Sequence, residues 1–214
     1  MVIGSKLLPL LALSAWAGLP AAELVVRDVR AGFEYRTSDF DFEVDNGTTV
    51  SSGSDSFDDA YGITAGGMYS FAGPGWRGGW LVGAEANIAY YSYLSDGQLL
   101  SMSARLAGGY GYAFSDDWIA EFKPFVGIGI ATFDFPATSG VAAFSADGTT
   151  LEFGAHGGVY RRISDDWLIG LELGYLASSF DLEGGGQNLT LDSDGIGAWL
   201  SLTWRLSDAP TALE

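Results

Sequence analysis

The chain has 214 residues with 10 Lys or Arg against 27 Asp or Glu, and its formal charge of -17 excludes the class of proteins that bind nucleic-acid phosphates. It has no cysteine and one histidine, His156, which excludes disulfides, thiolate metal sites and any site that needs two histidines. With 31 glycines and 48% hydrophobic residues, it is too apolar for a disordered chain and too rich in glycine for a helical bundle, so strands and turns are expected.

The first 22 residues have the features of a secretory signal peptide. Lys6 precedes an apolar run over residues 7–19, and Ala15-Trp16-Ala17 fits the small-x-small cleavage pattern. The run is shorter than the roughly 20 residues that a membrane-spanning helix requires, which disfavours the alternative of an uncleaved anchor. We therefore predict a signal peptide over residues 1–22, cleaved between residues 17 and 22.

Eight later segments alternate apolar and polar residues with the period of a strand. In chain order their apolar rows run from Val29 to Tyr35, Tyr61 to Phe71, Trp80 to Tyr90, Leu100 to Tyr112, Trp118 to Ile130, Leu151 to Val159, Trp167 to Tyr175 and Ile196 to Trp204. Most are about as long as a tilted strand must be to cross a bilayer. The even number of segments favours a closed antiparallel barrel.

The second face of these segments indicates which side is inside. It carries glycines with isolated charged residues, as in Gly170, Glu172 and Gly174. Such a face fits a crowded, polar barrel lumen better than an open solvated surface, where Thr, Lys and Ser would be expected. We therefore expect the apolar rows to face outward and the charged rows to face the barrel axis.

The connections alternate between short turns and mostly long polar loops. Short turns follow the second, fourth and sixth segments at residues 73–78, 115–117 and 164–166, and Ser-Asp-Asp-Trp occurs twice, at residues 115–118 and 164–167. The remaining connections are predicted at residues 43–59, 95–98, 134–148 and 183–194, three of them as long loops rich in Asp, Ser and Gly. This asymmetry is typical of outer-membrane barrels.

Aromatic residues concentrate near both ends of the predicted strands, as in membrane barrels with two aromatic girdles. At the short-turn end they are Trp76, Trp80, Phe114, Trp118, Trp167 and Trp204, and at the loop end Tyr61, Tyr90, Tyr91, Tyr93, Phe133, Phe135, Phe153 and Phe180.

In signal peptide, strand pattern and connections, the chain resembles the small eight-stranded outer-membrane barrels of the OmpA/OmpX type and the opacity-like porin-superfamily proteins, over roughly residues 25–206. The fold class implied is all-β: an eight-stranded antiparallel up-and-down transmembrane β-barrel over residues 23–206, followed by a short tail over residues 207–214. The location implied is the outer membrane of a Gram-negative-type bacterium.

The resemblance also implies two partners, outer-membrane lipid and the barrel-assembly machinery. That machinery commonly recognises an aromatic last residue, usually Phe, whereas here Trp204 and Leu206 close the last strand and further residues follow.

The inward rows are close to electrical balance in a chain whose total charge is far from it. Unpaired charge in a narrow lumen costs several kcal/mol per ion, so balance predicts ion pairs that plug the lumen. The alternative is a wet channel lined by the same charges. The predicted lumen network comprises Arg30, Glu34, Arg36, Glu85, Arg105, Glu121, Lys123, Glu152, His156, Arg162, Glu172 and Arg205.

No catalytic residue, cofactor site or metal site is predicted. Lipid A deacylases, which are also eight-stranded barrels, use a His with a Ser two residues later, but Gly157 and Gly158 follow His156. A hydroxyl from another strand, Ser101 or Ser103, is the alternative partner. A calcium loop starting at Asp41 would need Glu at its twelfth position, where Ser52 stands, so only loose attraction of divalent cations is expected there.

The sequence therefore predicts a non-enzymatic outer-membrane barrel that serves envelope integrity or presents acidic loops to an extracellular ligand, without a nucleic-acid partner or cofactor. Three alternatives remain open: a narrow pore for ions or small solutes, a lipid-modifying enzyme, and a soluble ligand-binding barrel of the lipocalin type with its apolar face inside.

Overall fold

The computed structural model describes residues 23–72, 77–94, 97–137 and 143–206, and the predicted signal peptide and C-terminal tail lie outside these ranges. The strands are β1 (Glu23–Asp45), β2 (Val50–Ser56), β3 (Asp59–Ala72), β4 (Gly78–Tyr93), β5 (Gly97–Ala113), β6 (Trp118–Phe135), β7 (Phe144–Arg162), β8 (Trp167–Gly184) and β9 (Gln187–Arg205). No helix in the described part of the chain is long and apolar enough to cross a membrane.

The nine strands form a closed ring with eight positions. All pairings are antiparallel, and β9 pairs with β1 to close the ring. Strands β2 and β3 share one position, because β2 pairs with Asp39–Asp45 of β1 and β3 pairs with its Glu23–Arg36 segment. The break between them is the pair Phe57 and Asp58. The predicted eight-stranded antiparallel barrel is therefore confirmed.

The strands are tilted and staggered around the ring. Following paired residues from Tyr35 of β1 through β9 and every other ring strand leads back to β1 at Leu24. Such a stagger is what closure of a tilted barrel requires, and an eight-stranded barrel has an interior just wide enough for side chains to fill. Below, the turn end is the end where β3, β5 and β7 finish, and the hairpin end is the opposite one.

Through most of its height the barrel is apolar outside and charged inside. The outward side chains of Ile128, Leu173 and Ile196 are 63–67% exposed, whereas the charged Glu152 and Lys123 are 0% and 1% exposed. A soluble lipocalin-type barrel would show the reverse, so the predicted orientation of the two faces is correct.

Near the hairpin end this polarity inverts without a register shift. On β1, Phe40 is buried inside and Asp41 is exposed outside, although Glu34 is inside and Phe33 outside lower on the same strand. The pairing of β1 with β9 runs unbroken through this change. The inverted rows of β8 and β9 place Phe180, Leu182, Leu189 and Leu191 inside, with Asp181, Glu183, Asp192 and Asp194 outside.

Two predicted loops are in fact strand hairpins. Residues 43–59 contain the end of β1, a turn over residues 46–49 and all of β2. Residues 183–194 contain a two-residue turn, Gly185 and Gly186, whose φ values of 57° and 76° suit a right-twisted hairpin. The loop prediction failed because Ser, Gly and Asp are common in loops. Here these residues lie on the solvent-exposed face of paired strands.

The two Ser-Asp-Asp-Trp repeats form equivalent turns, since the amides of Phe114 and Ile163 donate to the carbonyls of Trp118 and Trp167. The girdle at the turn end is exposed as predicted at Trp80, Phe114, Trp118, Trp167 and Trp204, while Trp76 lies outside the described residues.

The aromatic girdle predicted at the hairpin end is partly wrong. Tyr91 and Phe180 are fully buried inside the barrel, and Tyr93 and Phe133 pack against the same interior cluster. These rings have the parity of the lumen, and the inversion of polarity makes the lumen apolar at their height.

We predict that an arginine on the outward face of β8 has opposite consequences below and above the inversion. Leu173→Arg should lower the free energy of unfolding by about 2–4 kcal/mol, because it places a charge in the middle of the apolar band. Asp181→Arg, on the same face of the same strand, should cost less than about 1 kcal/mol. Urea unfolding of the protein in lipid vesicles measures both, and equal costs would contradict the inversion.

Candidate functional site

The interior at the turn end holds an ionic cluster, called here the lower cluster, of Asp28, Arg30, Glu121, Lys123, Glu172 and Arg205. Arg30 makes a bidentate pair with Glu121, with Nη1 2.5 Å from Oε2 and Nη2 2.9 Å from Oε1. Its Nη2 also donates to Asp28 Oδ2 over 3.2 Å, and Arg205 Nε lies 3.6 Å from Asp28 Oδ1. Bidentate arginine pairs are among the stronger and more directional polar contacts in proteins.

Glu172 is the second centre of the lower cluster. Lys123 Nζ lies 2.9 Å from its Oε2 and also donates to the Tyr160 hydroxyl over 2.7 Å. The Ser201 hydroxyl donates to Glu172 Oε1 over 2.9 Å, and His156 Nδ1 lies 2.5 Å from Oε2. One carboxylate thus anchors groups from β6, β7 and β9.

A tier of rings lies between the lower cluster and a second ionic cluster. His156 packs against Trp199 with ring centroids 5.0 Å apart and against the edge of Phe125 at 5.6 Å. The guanidinium carbon of Arg105 lies 4.9 Å from the Phe125 ring centroid. These contacts place apolar surface and a cation–π contact where the two clusters meet.

The upper cluster consists of Glu34, Arg36, Arg105 and Glu152, whose side chains are at most 2% exposed. Arg36 Nε lies 2.9 Å from Glu34 Oε1, and Arg105 Nε donates to Glu152 Oε2 over 2.7 Å. Arg105 Nη1 lies 3.7 Å from Glu34 Oε2, which links the two pairs. The remaining hydrogen bonds run from Asn87 to Glu34, from Ser103 to Glu152 and from Arg36 to the Tyr91 hydroxyl.

Each cluster is electrically balanced when His156 is neutral. The lower cluster pairs Asp28, Glu121 and Glu172 with Arg30, Lys123 and Arg205, and the upper cluster pairs Glu34 and Glu152 with Arg36 and Arg105. Balance matters here because a buried charge without a partner is far more costly than a buried pair.

Glycines in the wall make room for the long charged side chains. A Cβ at Gly127 would come within 2.9 Å of Arg105 Cγ, and one at Gly158 would come within 2.5 Å of Glu172 Cγ. The glycines of the inward rows are therefore part of the packing of both clusters.

Above the upper cluster an apolar cap fills the lumen. Its buried members are Phe40, Phe57, Ala60, Ala89, Tyr91, Leu99, Ala131, Ala146, Phe180, Leu182, Leu189 and Leu191. Phe57 enters from the break between β2 and β3 and lies 4.5 Å from the Phe40 ring and 4.8 Å from the Tyr91 ring, measured between centroids. At the rim the Tyr93 hydroxyl donates to Asp55 over 3.0 Å, and partial burial together with this bond raises the pKa of Tyr93.

Nine of the twelve predicted lumen residues belong to these two clusters, and a tenth, His156, contacts Glu172 of the lower cluster. Glu85 and Arg162 form no ion pair within the described residues, although both have the inward parity. The sequence analysis missed Asp28, which lies on the inward row of β1 two residues before Arg30, so parity alone would have found it. It also missed Phe125 and Trp199, whose apolar character hid them among the outward residues.

The hydroxyls near the lumen network do not form a nucleophile–base pair. Ser201 donates to Glu172 and Ser103 donates to Glu152, and in the described ranges no hydroxyl is hydrogen-bonded to His156. Within the same ranges no group of three His, Asp or Glu side chains is arranged to hold a metal ion.

Comparison with known proteins identifies the family. Residues 7–203 match the model of the outer membrane protein beta-barrel domain. The chain belongs to this family. It is accordingly an outer-membrane protein, with its apolar band in contact with membrane lipid. The turn end of such barrels faces the periplasm and the hairpin end faces the exterior. No curated protein matches the chain in sequence.

Similar solved structures include proteins with different printed roles. Ail, the attachment invasion locus protein of Yersinia pestis, is 11% identical, with 83% of this chain and 99% of that chain covered and a TM-score of 0.40. Neisserial surface protein A is 14% identical, with 82% and 95% covered and a TM-score of 0.39. The outer membrane protease OmpT of Escherichia coli is 7% identical, with 88% and 99% covered and a TM-score of 0.48. These likenesses assign no activity to this chain.

We predict that Arg105→Ala lowers the free energy of unfolding by about 3–5 kcal/mol, because it leaves Glu34 and Glu152 buried with a single cation. The exposed Arg161→Ala is the matched control and should cost less than about 1 kcal/mol. Chemical unfolding in vesicles compares the two variants. A loss below about 1 kcal/mol for Arg105→Ala would show that the upper cluster does not depend on this cation.

Proposed function

We propose that this protein is a closed, non-enzymatic barrel of the outer membrane, with a structural role in the envelope and with acidic hairpins as its interaction surface. The observation that carries the proposal is the filled lumen, in which two balanced ionic clusters and an apolar cap follow one another along the axis. An eight-stranded barrel has an interior narrow enough for its own side chains to fill.

The three interior tiers would oppose ion passage for different physical reasons. An ion entering the lower cluster must compete with pairs such as Arg30–Glu121, in which both side chains are 7% exposed. An ion entering the cap would lose its water among rings such as Phe40, Phe57 and Phe180 without gaining polar partners. A narrow pore is therefore less well supported than a plug.

The geometry around His156 supports the non-enzymatic part of the proposal. The imidazole is 6% exposed and held between Glu172 and the Trp199 ring, and its neighbouring hydroxyl, Ser201, donates to that same carboxylate. A base that activates serine must itself accept the hydroxyl proton. The site is also inside the barrel, away from lipid head groups on the surface.

We expect the purified protein to give no stepwise conductance in planar lipid bilayers. Loss of the cap alone, as in Phe57→Ala with Phe180→Ala, should leave the membrane silent, because both ionic clusters still close the lumen. Gel mobility without heating verifies that each protein is folded. Regular single-channel steps with the wild-type protein would contradict the closed lumen and favour the narrow pore.

We also expect expression of the protein to leave the lipid A mass spectrum of the host unchanged. His156→Ala should give the same spectrum as the wild type, because on this proposal the imidazole of His156 is not a catalytic base. A new lipid A species with the wild type that disappears with His156→Ala would contradict the proposal and identify a lipid-modifying enzyme.

A further inference from the structure

The hairpin end of the barrel contains no Lys or Arg among the residues that the structure describes. The ten Lys and Arg residues are Lys6, Arg27, Arg30, Arg36, Arg77, Arg105, Lys123, Arg161, Arg162 and Arg205. Five of them, Arg30, Arg36, Arg105, Lys123 and Arg205, lie in the lumen clusters, and none lies in the described residues of the exterior hairpins. The acidic residues at this end, among the described residues, are Asp39, Asp41, Glu43, Asp45, Asp55, Asp58, Asp59, Asp134, Asp147, Asp181, Glu183, Asp192 and Asp194.

Carboxylates directly oppose one another on the outer face of β1 and β9. Asp39 pairs in register with Asp194, and Asp41 pairs with Asp192. Like charges opposite each other across an antiparallel pair are destabilising, and no Lys or Arg lies beside them among the described exterior residues. This face therefore favours a partner that brings positive charge.

Strand β2, next to this face, has an unpaired edge. All seven of its residues are exposed, and within the described ranges it pairs only with β1. The amide of Phe57 donates to the carbonyl of Ser38 on β1. Because the backbone groups of successive residues in a strand point to alternate sides, the N–H and C=O groups of Ser52 and Ser54 point away from β1. These peptides form a short template for a further strand.

The side chains beside that edge leave space for long basic residues. An open hollow of about 450 Å³ lies over the outer face, lined by Asp41, Glu43, Ser52, Ser54, Thr190 and Asp192. Its serines are small, so they do not block the path from the edge to the carboxylates. A strand added to β2 would lie two strand spacings, about 10 Å, from β1, which extended Lys or Arg side chains and the carboxylates can together span.

We propose that an extended cationic peptide segment of a partner protein adds to the free edge of β2. Its backbone pairs with the peptides of Ser52 and Ser54, and its outward Lys or Arg side chains lie across these serines to reach Asp41 and Glu43 of β1. Backbone pairing supplies the docking mode and the carboxylates select the charge of the partner. This inference rests on the interaction part of the proposed function.

A short fluorescent peptide of alternating lysine and threonine is a suitable probe, with the full chain in nanodiscs of zwitterionic lipid. Fluorescence anisotropy gives its Kd, and the same peptide N-methylated at alternate residues keeps the charge but cannot pair as a strand. We expect saturable binding of the parent peptide and binding roughly tenfold weaker after N-methylation, from the loss of one or two hydrogen bonds. Equal affinity of the two peptides would overturn strand addition.

Two pairs of variants separate the contribution of the carboxylates from that of the backbone edge of β2. Asp41→Asn with Glu43→Gln should weaken binding of the parent peptide about three- to tenfold, whereas Asp116→Asn with Asp165→Asn, which removes the same charge at the turn end, should not change its Kd. Ser54→Pro should weaken binding about fivefold by removing an edge amide, while Ser54→Ala should not. Equal effects within either pair would overturn the assignment of the site.

The outcome of this experiment is distinct from that of the conductance test. A chain that fails to bind the peptide and is silent in bilayers refutes only the docking site, whereas a conducting chain that binds the peptide refutes only the closed lumen.

Discussion

The structure depends on one constraint: every strand of the barrel passes through two solvents while its side chains keep a fixed alternation. Within the membrane the outer row must be apolar, so Phe33, Leu173 and Ile196 face lipid and the ionic clusters face the axis. Outside the membrane the outer row meets water, and there Asp41 faces out while Phe40 faces in. The register of β1 and β9 is continuous through this change. The outer face therefore turns from apolar to acidic, and the inner face from charged to apolar, without any break in the hydrogen-bonded ladder.

The sequence was sufficient to predict the part of the barrel within the membrane and most of the charged residues of its two ionic clusters. Period-two alternation with glycine and charge on the second face identifies the eight ring positions, and nine of the twelve residues that parity places in the lumen lie in the two ionic clusters. The exterior hairpins could not be predicted in the same way. Their rows have the opposite polarity. When apolar residues are expected on the outer face, Phe40, Phe42 and Val44 do not fit the strand pattern, and the acidic residues between them are assigned to a loop. Pair geometry, such as the contact of Arg105 with both Glu34 and Glu152, also depends on strand stagger, which one sequence does not give.

Buried ion pairs rarely stabilise a fold more than a well-packed apolar core of the same volume would. Their presence at membrane depth is better explained by what an apolar lumen would do before insertion. Strands that were apolar on both faces would be hydrophobic all round during passage through an aqueous compartment. Unpaired strands of this kind promote aggregation. A charged inner row keeps each strand amphipathic, and pairing within the closed ring then removes the cost of burying Glu34, Glu152 and their cations.

The same reasoning explains why an apolar cap is confined to the exterior part. There the outer row already carries Asp and Glu, so an apolar inner row leaves the strand amphipathic and provides an ordinary hydrophobic core around Tyr91 and Phe180. That core anchors the β1–β2 hairpin through Phe57, which fixes the free edge of β2 beside the carboxylates of β1 and β9. The apolar cap and the acidic exterior face are thus two consequences of one alternation: the cap residues also hold in place β2, whose second edge pairs with no strand among the described residues.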